Sequence, residues 1–327
     1  MKKRIFWGVL VLVIFGALLV GAIFSKPKEE VGFPPLFSPP PTLIPSPVPK
    51  PIKIIFGGDL MFDRNVRLQA EKFGGYDFFF TNLAPLFQEA DLVVANLEGP
   101  ITKFSSQSVG TLPGSPKNFI FTFSPAVVET LAKNNFYLPN LGNNHILNFG
   151  LEGLAQTKNY LKVAGIGYFG NTGDDEERYF IWQKDNLKIG FVNYNQFVPN
   201  GFALAKEDIL KARPQADLII LYAHWGEEYQ EEPNKLIKEQ AHQLAEAGAD
   251  LIIGSHPHVV QPAELYQGKK IYYSLGNFLF DQYFSPETQK GLLVVLTIDP
   301  KTRAFSFQDL IVQMASGAPL VLEEKLK

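Results

Sequence analysis

Two of the five histidines in this 327-residue chain flank a proline, in the segment IIGSHPHVVQP at residues 252–262. Proline cannot continue a helix, and it biases the preceding residue toward an extended backbone. In an extended segment residues i and i+2 point to the same side, so His256 and His258 are predicted to present their rings together. Paired imidazoles are typical of a transition-metal site, which makes this segment a candidate ligand loop.

Candidate ligands end five apolar runs of the sequence. The runs and their last residues are IKIIFGGD with Asp59, DLVVANLE with Glu98, FYLPNLGNN with Asn144 (followed by His145), DLIILYAHW with His224 just before its end, and DLIIGSH with His256. If each run is a strand of an open α/β sheet, these side chains meet outside the carboxyl ends of the strands. The remaining histidine, His242, falls opposite the apolar stripe of its predicted helix and is interpreted as a solvated surface residue.

The chemistry of this set is a mixture of carboxylate, imidazole and amide ligands. Such a mixture suits Mn, Fe, Zn or Co better than calcium, and it exceeds the needs of one tetrahedral site. Two divalent ions about 3.5 to 4 Å apart, bridged by one carboxylate, would use it and would activate water against an electrophilic centre. Taken singly, Asp59 after two glycines and Glu98 before Gly99-Pro100 could equally be turn or cap residues.

The strands and helices that position these residues are predicted from the spacing of apolar residues along the sequence. The apolar runs alternate with amphipathic helical patterns at 124–135, 150–165 and 233–248, which predicts βα units and a mostly parallel central sheet. The segments 178–195 and 267–280 are typical of hairpins, which favours a second, mixed or antiparallel sheet.

The amino-terminal 51 residues differ in composition from the rest of the chain, with an apolar segment followed by a proline-rich one. Residues 5–24 are twenty uncharged, largely apolar positions after the cationic MKKR, long enough to cross a bilayer about 30 Å thick. This predicts a single-pass membrane anchor at 1–26 with the C-terminal part outside the cell membrane; a cleaved signal peptide is the alternative. Ten prolines at 27–51 predict an extended linker, followed by one body at 52–327.

Composition excludes several functions. The chain lacks cysteine, so Cys-ligated metal sites and cysteine nucleophiles are excluded. Its net charge is −3, and the positive amino end leaves about −7 on the body, which gives no general attraction for nucleic acid. Dinucleotide-binding, P-loop, serine-hydrolase and zincin motifs are absent from the sequence.

Six motifs together resemble the CapA family of bacterial capsule, or poly-γ-glutamate, biosynthesis proteins, which are related to calcineurin-like metallophosphoesterases. The motifs are GGDLMFDR, NLEGPIT, NNHILNFG, HWGEEY, GSHPHVVQP and YSLGNFLFD. The resemblance implies an α/β (α+β) fold, a metallophosphatase-like four-layer α/β/β/α sandwich with two packed mixed β-sheets. It also implies work on an anionic polymer or phosphoester substrate, alongside capsule-polymer synthesis subunits.

The same resemblance implies residue roles. Asp59 and His258 would hold one metal, Asn144, His224 and His256 the other, and Glu98 would bridge them. His145 would donate a proton or stabilise charge, with Asn148 beside it, while Arg64 and Asn277 are candidate substrate contacts, Asn277 alternatively a support for the ligands.

Two departures from the wider pattern bear on activity. Met61 stands where related phosphoesterases have a ligand histidine, and a thioether is a poor ligand for a hard dication. Asn148 stands where the family has an aspartate that could orient the histidine and raise its basicity. These departures favour the alternative of a non-catalytic accessory protein for polymer export or tethering.

Overall fold

The computed structural model describes residues 50–170, 172 and 177–323. The predicted anchor and all but the last two residues of the predicted linker lie outside the described residues, so those boundaries stay predictions. Within the described ranges, no helix combines the length and apolar character that crossing a membrane requires.

The described part of the chain contains twelve strands and seven α-helices. The strands are β1 Ile52–Leu60, β2 Leu92–Leu97, β3 Tyr179–Lys184, β4 Leu187–Asn195, β5 Leu218–His224, β6 Leu251–Ser255, β7 Ala263–Tyr266, β8 Lys269–Tyr272, β9 Asn277–Leu279, β10 Lys290–Ile298, β11 Phe305–Gln313 and β12 Val321–Leu322. The helices are α1 Arg64–Phe73, α2 Asp77–Phe80, α3 Ala84–Gln88, α4 Val127–Lys133, α5 Gly150–Val163, α6 Gly201–Ala212 and α7 Lys235–Ala247.

The strands form two mixed sheets. The first runs β12-β11-β10-β1-β2, with β9 also paired to β1, and the second runs β3-β4-β5-β6-β8-β7. In the first sheet β1 is parallel to β2 and antiparallel to β10. In the second, β4, β5, β6 and β8 are parallel and the edges are antiparallel. The predicted mixed α/β fold with two mixed sheets is therefore confirmed.

Strand alternation places three apolar layers between the elements. On β1, Ile54 and Phe56 face the second sheet, whereas Ile55 faces helices of the amino-terminal half. On β5, Tyr222 faces the first sheet and Leu221 faces α6 and α7. Because side chains alternate across a strand, each sheet buries one face against the other sheet and one against helices. The result is a helix, sheet, sheet, helix order.

The predicted helices form with shorter bounds. The patterns at 124–135, 150–165 and 233–248 become α4, α5 and α7. The Asn234 side chain accepts a hydrogen bond from the backbone N–H of Ile237 at the start of α7, and Gly248 at φ 126° ends it. These are the N-cap and C-terminal glycine signals that the sequence carries.

Two strand predictions are wrong. Residues 136–144 form only isolated bridges at Asn140, because Pro139 has no N–H to donate to a ladder. The segment 267–280 is not one hairpin: β8 pairs with β7, and β9 crosses to the first sheet beside β1. The hairpin predicted at 178–195 is present as β3 and β4.

Candidate metal centre

The ligand candidates gather where the carboxyl ends of four strands meet. Asp59 lies near the end of β1, Glu98 follows β2, His224 ends β5, and the histidine loop follows β6. β1 is parallel and adjacent to β2 in the first sheet, and β5 is parallel and adjacent to β6 in the second. The carboxyl ends of each pair therefore lie at one edge of their sheet. A hydrogen bond of 3.1 Å from the backbone N–H of His256 to Asp59 Oδ2 joins the two sheets at this point.

Two groups of side chains are arranged to hold cations. Glu98, His224 and His256 form the imidazole-rich group, and Asp59, Glu98 and His258 form the carboxylate-rich group. In each group one ligand atom per residue lies within 4.8 Å of the others. Glu98 belongs to both groups, and all five side chains are buried. The structure thus brings together Asp59, Glu98, His224, His256 and His258, with Glu98 in the bridging position.

The backbone of the histidine loop differs from the prediction. His256 has φ 99° and His258 has φ 59°, so neither is extended. The two rings still lie near each other, with centroids 6.0 Å apart. Non-glycine residues in this region are strained and persist where the surrounding structure holds them. Left-handed backbone, and not strand alternation, therefore turns both imidazoles into the cluster.

Unpartnered buried atoms show that the cluster fits divalent cations. Glu98 Oε1 and His256 Nδ1 are buried without a hydrogen-bond partner. A buried polar atom without a partner costs free energy, which coordination to a cation would recover.

The contact between His224 and Asn144 supports the same fit. Ser255 Oγ donates its hydrogen to Ala223 O, so it accepts the hydrogen of His224 Nδ1 at 3.0 Å. His224 Nε2 then faces Asn144 Oδ1 at 2.9 Å with a lone pair. Two acceptors at that separation match neighbouring ligands that each lie about 2.1 Å from one ion. Asn144 therefore supplies the imidazole-rich group with an amide oxygen.

The two carboxylates have unequal electrostatics. Burial would raise the pKa of Asp59, but the hydrogen bond and attraction of His258 and the attraction of His224 lower it below its usual range. Burial and the neighbouring Asp59 carboxylate raise the pKa of Glu98 well above its ordinary value. Burial, together with His256, lowers the pKa of His224. The His224 imidazole is thus held neutral, as a metal ligand must be.

Asn96 is a buried supporting residue that sequence reasoning missed. Its amide nitrogen lies 2.8 Å from Asp59 Oδ1, 3.3 Å from Glu98 Oε2 and 3.2 Å from His224 Nδ1. Its oxygen accepts hydrogen bonds from Asn140 and Asn143, each at 3.0 Å. The available signal was an amide inside the buried strand that leads to Glu98. Such a residue fixes the orientation of the Asp59 and Glu98 carboxylates.

His145 lies at the open side of the cluster with Asn148 behind it. Asn148 Oδ1 accepts the backbone N–H of Phe121 at 2.8 Å and lies 3.2 Å from His145 Nδ1. Since that oxygen is an acceptor, His145 Nδ1 carries the hydrogen, and Nε2 points toward Glu98 Oε1 at 3.9 Å. Burial is the main cause that lowers the pKa of His145 to about 4.

Met61 contributes no ligand atom to either group. Its side chain is buried in the core between the first sheet and its helices. Its sulfur accepts the backbone N–H of Asp63 at 3.0 Å. The carboxylate-rich group therefore has three protein ligands.

The predicted substrate contacts are held by protein partners. The Arg64 guanidinium pairs with Asp281, donates to Asn118 Oδ1 at 3.1 Å and lies between the Phe121 and Phe280 rings. Its predicted anion contact stays a prediction.

Asn277 is fully buried behind a ligand. Its Oδ1 lies 2.9 Å from His258 Nδ1, and its amide hydrogens go to Gln282 Oε1 and Thr288 O. Asn277 thus orients His258 so that Nε2 faces Glu98 at 3.6 Å. The structure accordingly supplies the supporting role, and the predicted substrate contact stays a prediction.

His242 lies outside the cluster, on α7 at the other face of the second sheet. It is half-buried rather than fully solvated, because it pairs with Glu264 and stacks on Tyr266 with centroids 3.8 Å apart.

Comparison with known proteins gives a consistent family. A family model described as bacterial capsule synthesis protein PGA_cap matches residues 53–282. The PGA biosynthesis protein CapA of Bacillus subtilis is 30% identical over 292 residues, which cover 83% of this chain and 74% of that protein. The capsule biosynthesis protein CapA of Bacillus anthracis is 28% identical over 284 residues, 80% of this chain and 68% of that protein.

Among solved structures, this chain is similar to a novel phosphatase from Mycoplasma pneumoniae. The similarity has a TM-score of 0.47 at 18% identity and covers 81% of this chain and 94% of that one.

Proposed function

The chain belongs to the bacterial capsule synthesis family PGA_cap, and from that premise we propose that its body is a metal-dependent, phosphoesterase-like hydrolase acting in capsule or poly-γ-glutamate biosynthesis. The observation that carries this proposal is the pair of ligand groups that share Glu98, with His145 Nε2 directed at the shared carboxylate.

Two divalent cations of the Mn, Fe, Zn or Co type are proposed as cofactors. The imidazole-rich group with Asn144 would hold one, and the carboxylate-rich group would hold the other. Bound there, cations would supply a nucleophile from water and neutralise charge on a phosphoryl or acyl group.

His145 is proposed as the group that moves a proton. Its Nδ1 hydrogen is directed to Asn148, so its Nε2 is free to hold a proton for the leaving oxygen. Phe121 lies against the His145 ring with centroids 4.4 Å apart, which limits water around it. Asn148 therefore acts through His145 as a positioning residue.

The test is hydrolysis by the purified full-length chain. We expect bound divalent metal and turnover of generic phosphomonoesters or diesters with added manganese, and loss of turnover without loss of metal in His145→Ala. Wild-type turnover that persists in His145→Ala would contradict the assigned role.

A non-catalytic accessory role is the second candidate. The observations that favour it are Met61, whose sulfur is directed away to Asp63, and an amide at Asn148 where a carboxylate would raise the basicity of His145. If the protein binds metal yet only Asn148→Asp hydrolyses phosphoesters, the accessory role gains support.

Membrane tethering is proposed from the amino-terminal sequence. A single-pass helix at residues 5–24 would place the body outside the cell membrane, near capsule-polymer synthesis subunits and their anionic polymer or phosphoester. The test is cell fractionation with added protease: the body should sediment with membranes and be digested in cells whose outer layers are removed. Recovery in the soluble fraction would refute the tether.

A further inference from the structure

A groove of about 620 Å³ lies beside the metal centre. Its lining includes Arg64, Leu68, Phe119, Tyr229, Gln282 and Phe284. The Tyr229 ring is 6.1 Å from the His258 ring between centroids. On the Arg64 side, the Phe280 ring that contacts the guanidinium lies 4.8 Å from the same histidine. The groove thus borders the side chains that contact His258 of the carboxylate-rich group.

The groove presents apolar surface to solvent. Leu68 and Phe119 are each 44% exposed, Tyr229 is 40% exposed, and Phe284 is 68% exposed. Tyr229 and Phe284 contact edge to face with centroids 5.2 Å apart. Exposed apolar side chains that converge on one groove are characteristic of a ligand site.

The charges of the groove cancel. Arg64 and Asp281 are the charged residues among those described that line it, and they form an ion pair with each other. Asp281 also accepts the backbone N–H of Asn65 at 2.9 Å. Beyond Tyr229, the loop at 226–234 carries four exposed glutamates. The charged residues of the lining thus neutralise each other, which favours an uncharged occupant.

Hydrogen bonds connect the groove wall rigidly to the metal ligands. The backbone N–H of Tyr229 donates to Pro257 O at 2.8 Å, inside the histidine loop. Its hydroxyl accepts from Gln282 Nε2 at 3.1 Å, and Gln282 Oε1 accepts from Asn277, which orients His258. Tyr229 also has φ 64°, a conformation that these bonds hold in place. The groove wall and the carboxylate-rich group are therefore linked by a continuous chain of hydrogen bonds.

We infer that this groove binds the uncharged, apolar or aromatic alcohol portion of a phosphoester whose phosphoryl group lies at the two ligand groups. The inference deepens the proposed hydrolase function and rests on it for the position of the phosphoryl group. Specificity follows from Phe284, Leu68 and Tyr229, which favour a bulky apolar group over a small one.

The test compares ethyl phosphate with 2-(2-naphthyl)ethyl phosphate on the manganese-loaded full-length chain. Both are esters of primary alcohols, so the basicity of the leaving oxygen is nearly constant. We expect kcat/KM to be at least about tenfold higher for the naphthyl ester, and Phe284→Ala to bring the ratio of the two values close to one. Leu265→Ala removes a side chain that is 70% exposed outside the groove, and it should leave the ratio unchanged.

Binding of the matching phosphonates separates this inference from the hydrolase proposal. If neither ester is hydrolysed but naphthylethyl phosphonate binds at least about tenfold tighter than ethyl phosphonate, and Phe284→Ala removes the difference, the groove assignment holds and the hydrolase fails. If both esters are hydrolysed with similar kcat/KM, the groove assignment fails and the hydrolase proposal stands. Equal phosphonate affinities, or binding of neither, also overturn it.

Discussion

The two ligand groups share one carboxylate but differ in composition. The imidazole-rich group combines Glu98 with His224 and His256, and Asn144 Oδ1, the proposed fourth ligand, lies 2.9 Å from His224 Nε2. The carboxylate-rich group combines Asp59, Glu98 and His258, and Met61 supplies nothing further.

If each group holds one cation, as proposed, this difference predicts two cations of unequal affinity. One site has four protein ligands and a single carboxylate, and the other has three ligands and two carboxylates. A missing ligand leaves the second ion more open to water and substrate. We therefore expect the ion in the imidazole-rich group to be held more tightly, and the ion in the carboxylate-rich group to exchange more readily.

Removing the shared ligand should have the largest effect. Glu98→Gln keeps the shape of the side chain but removes its charge, so both ions should be lost and metal-dependent turnover should fall at least about a thousandfold. Metal content by mass spectrometry and steady-state assays measure this. Because the substitution also removes repulsion with Asp59, the metal-free variant should be no less thermostable than wild type. Retention of both ions by Glu98→Gln would contradict the assignment of Glu98 as their shared ligand.

Two substitutions in the histidine loop should separate the groups. Asparagine tolerates the left-handed backbone of both positions, so His256→Asn and His258→Asn form a matched pair. Each should weaken one ion more than about a hundredfold, since even the loss of an outer partner costs 10- to 100-fold. His256→Asn should remove the tighter ion and His258→Asn the weaker one, as read by calorimetric titration. An equal loss of affinity for both ions in each variant would contradict the assignment of two separate groups.

Restoring the missing ligand should reduce the difference in affinity between the two groups. Met61→His restores the histidine of the wider phosphoesterase pattern two residues after Asp59 and should tighten the weaker ion by about tenfold, within the range known for changes around metal ligands. Met61→Leu fills nearly the same volume without a ligand and should leave both affinities unchanged. If Met61→Leu matches Met61→His, packing and not coordination explains the result.

The smallest effect is expected from a substitution of Asn148, the residue that contacts His145 Nδ1. Asn148→Asp adds a negative charge beside His145 Nδ1, so the pKa of the ring should rise from about 4. Because His145 must be protonated to donate to the leaving oxygen, the alkaline limb of the pH–rate profile should then move to higher pH, with a change in kcat of up to about tenfold. Neither metal affinity should change by a comparable factor. A profile that does not move would show that Asn148 has no influence on His145.

The sequence predicted which candidate ligands gather at the ends of regular strands. Asp59, Glu98, His224 and His256 stand at the ends of buried apolar runs that become β1, β2, β5 and β6. Burial on both faces makes such runs continuous in apolar residues, and parallel strands bring their ends to one edge.

What the sequence could not predict depends on irregular backbone and distant contacts. The left-handed conformation of His256 and His258 is held by the surrounding fold, and the supporting role of Asn96 depends on hydrogen bonds to Asp59, Asn140 and Asn143, which are distant in the sequence. The crossing of β9 to β1 and the groove beside Tyr229 join segments far apart in the chain. Local periodicity carries no information about such contacts.

The most direct test of two cations that share Glu98 is a crystal structure of the manganese-loaded protein with anomalous-difference data. We predict two anomalous peaks about 3.5 to 4 Å apart, both within coordination distance of the Glu98 carboxylate. The stronger peak should lie among His224, His256 and Asn144, and the weaker one between Asp59 and His258. A single peak, or two peaks of which only one contacts Glu98, would contradict this account.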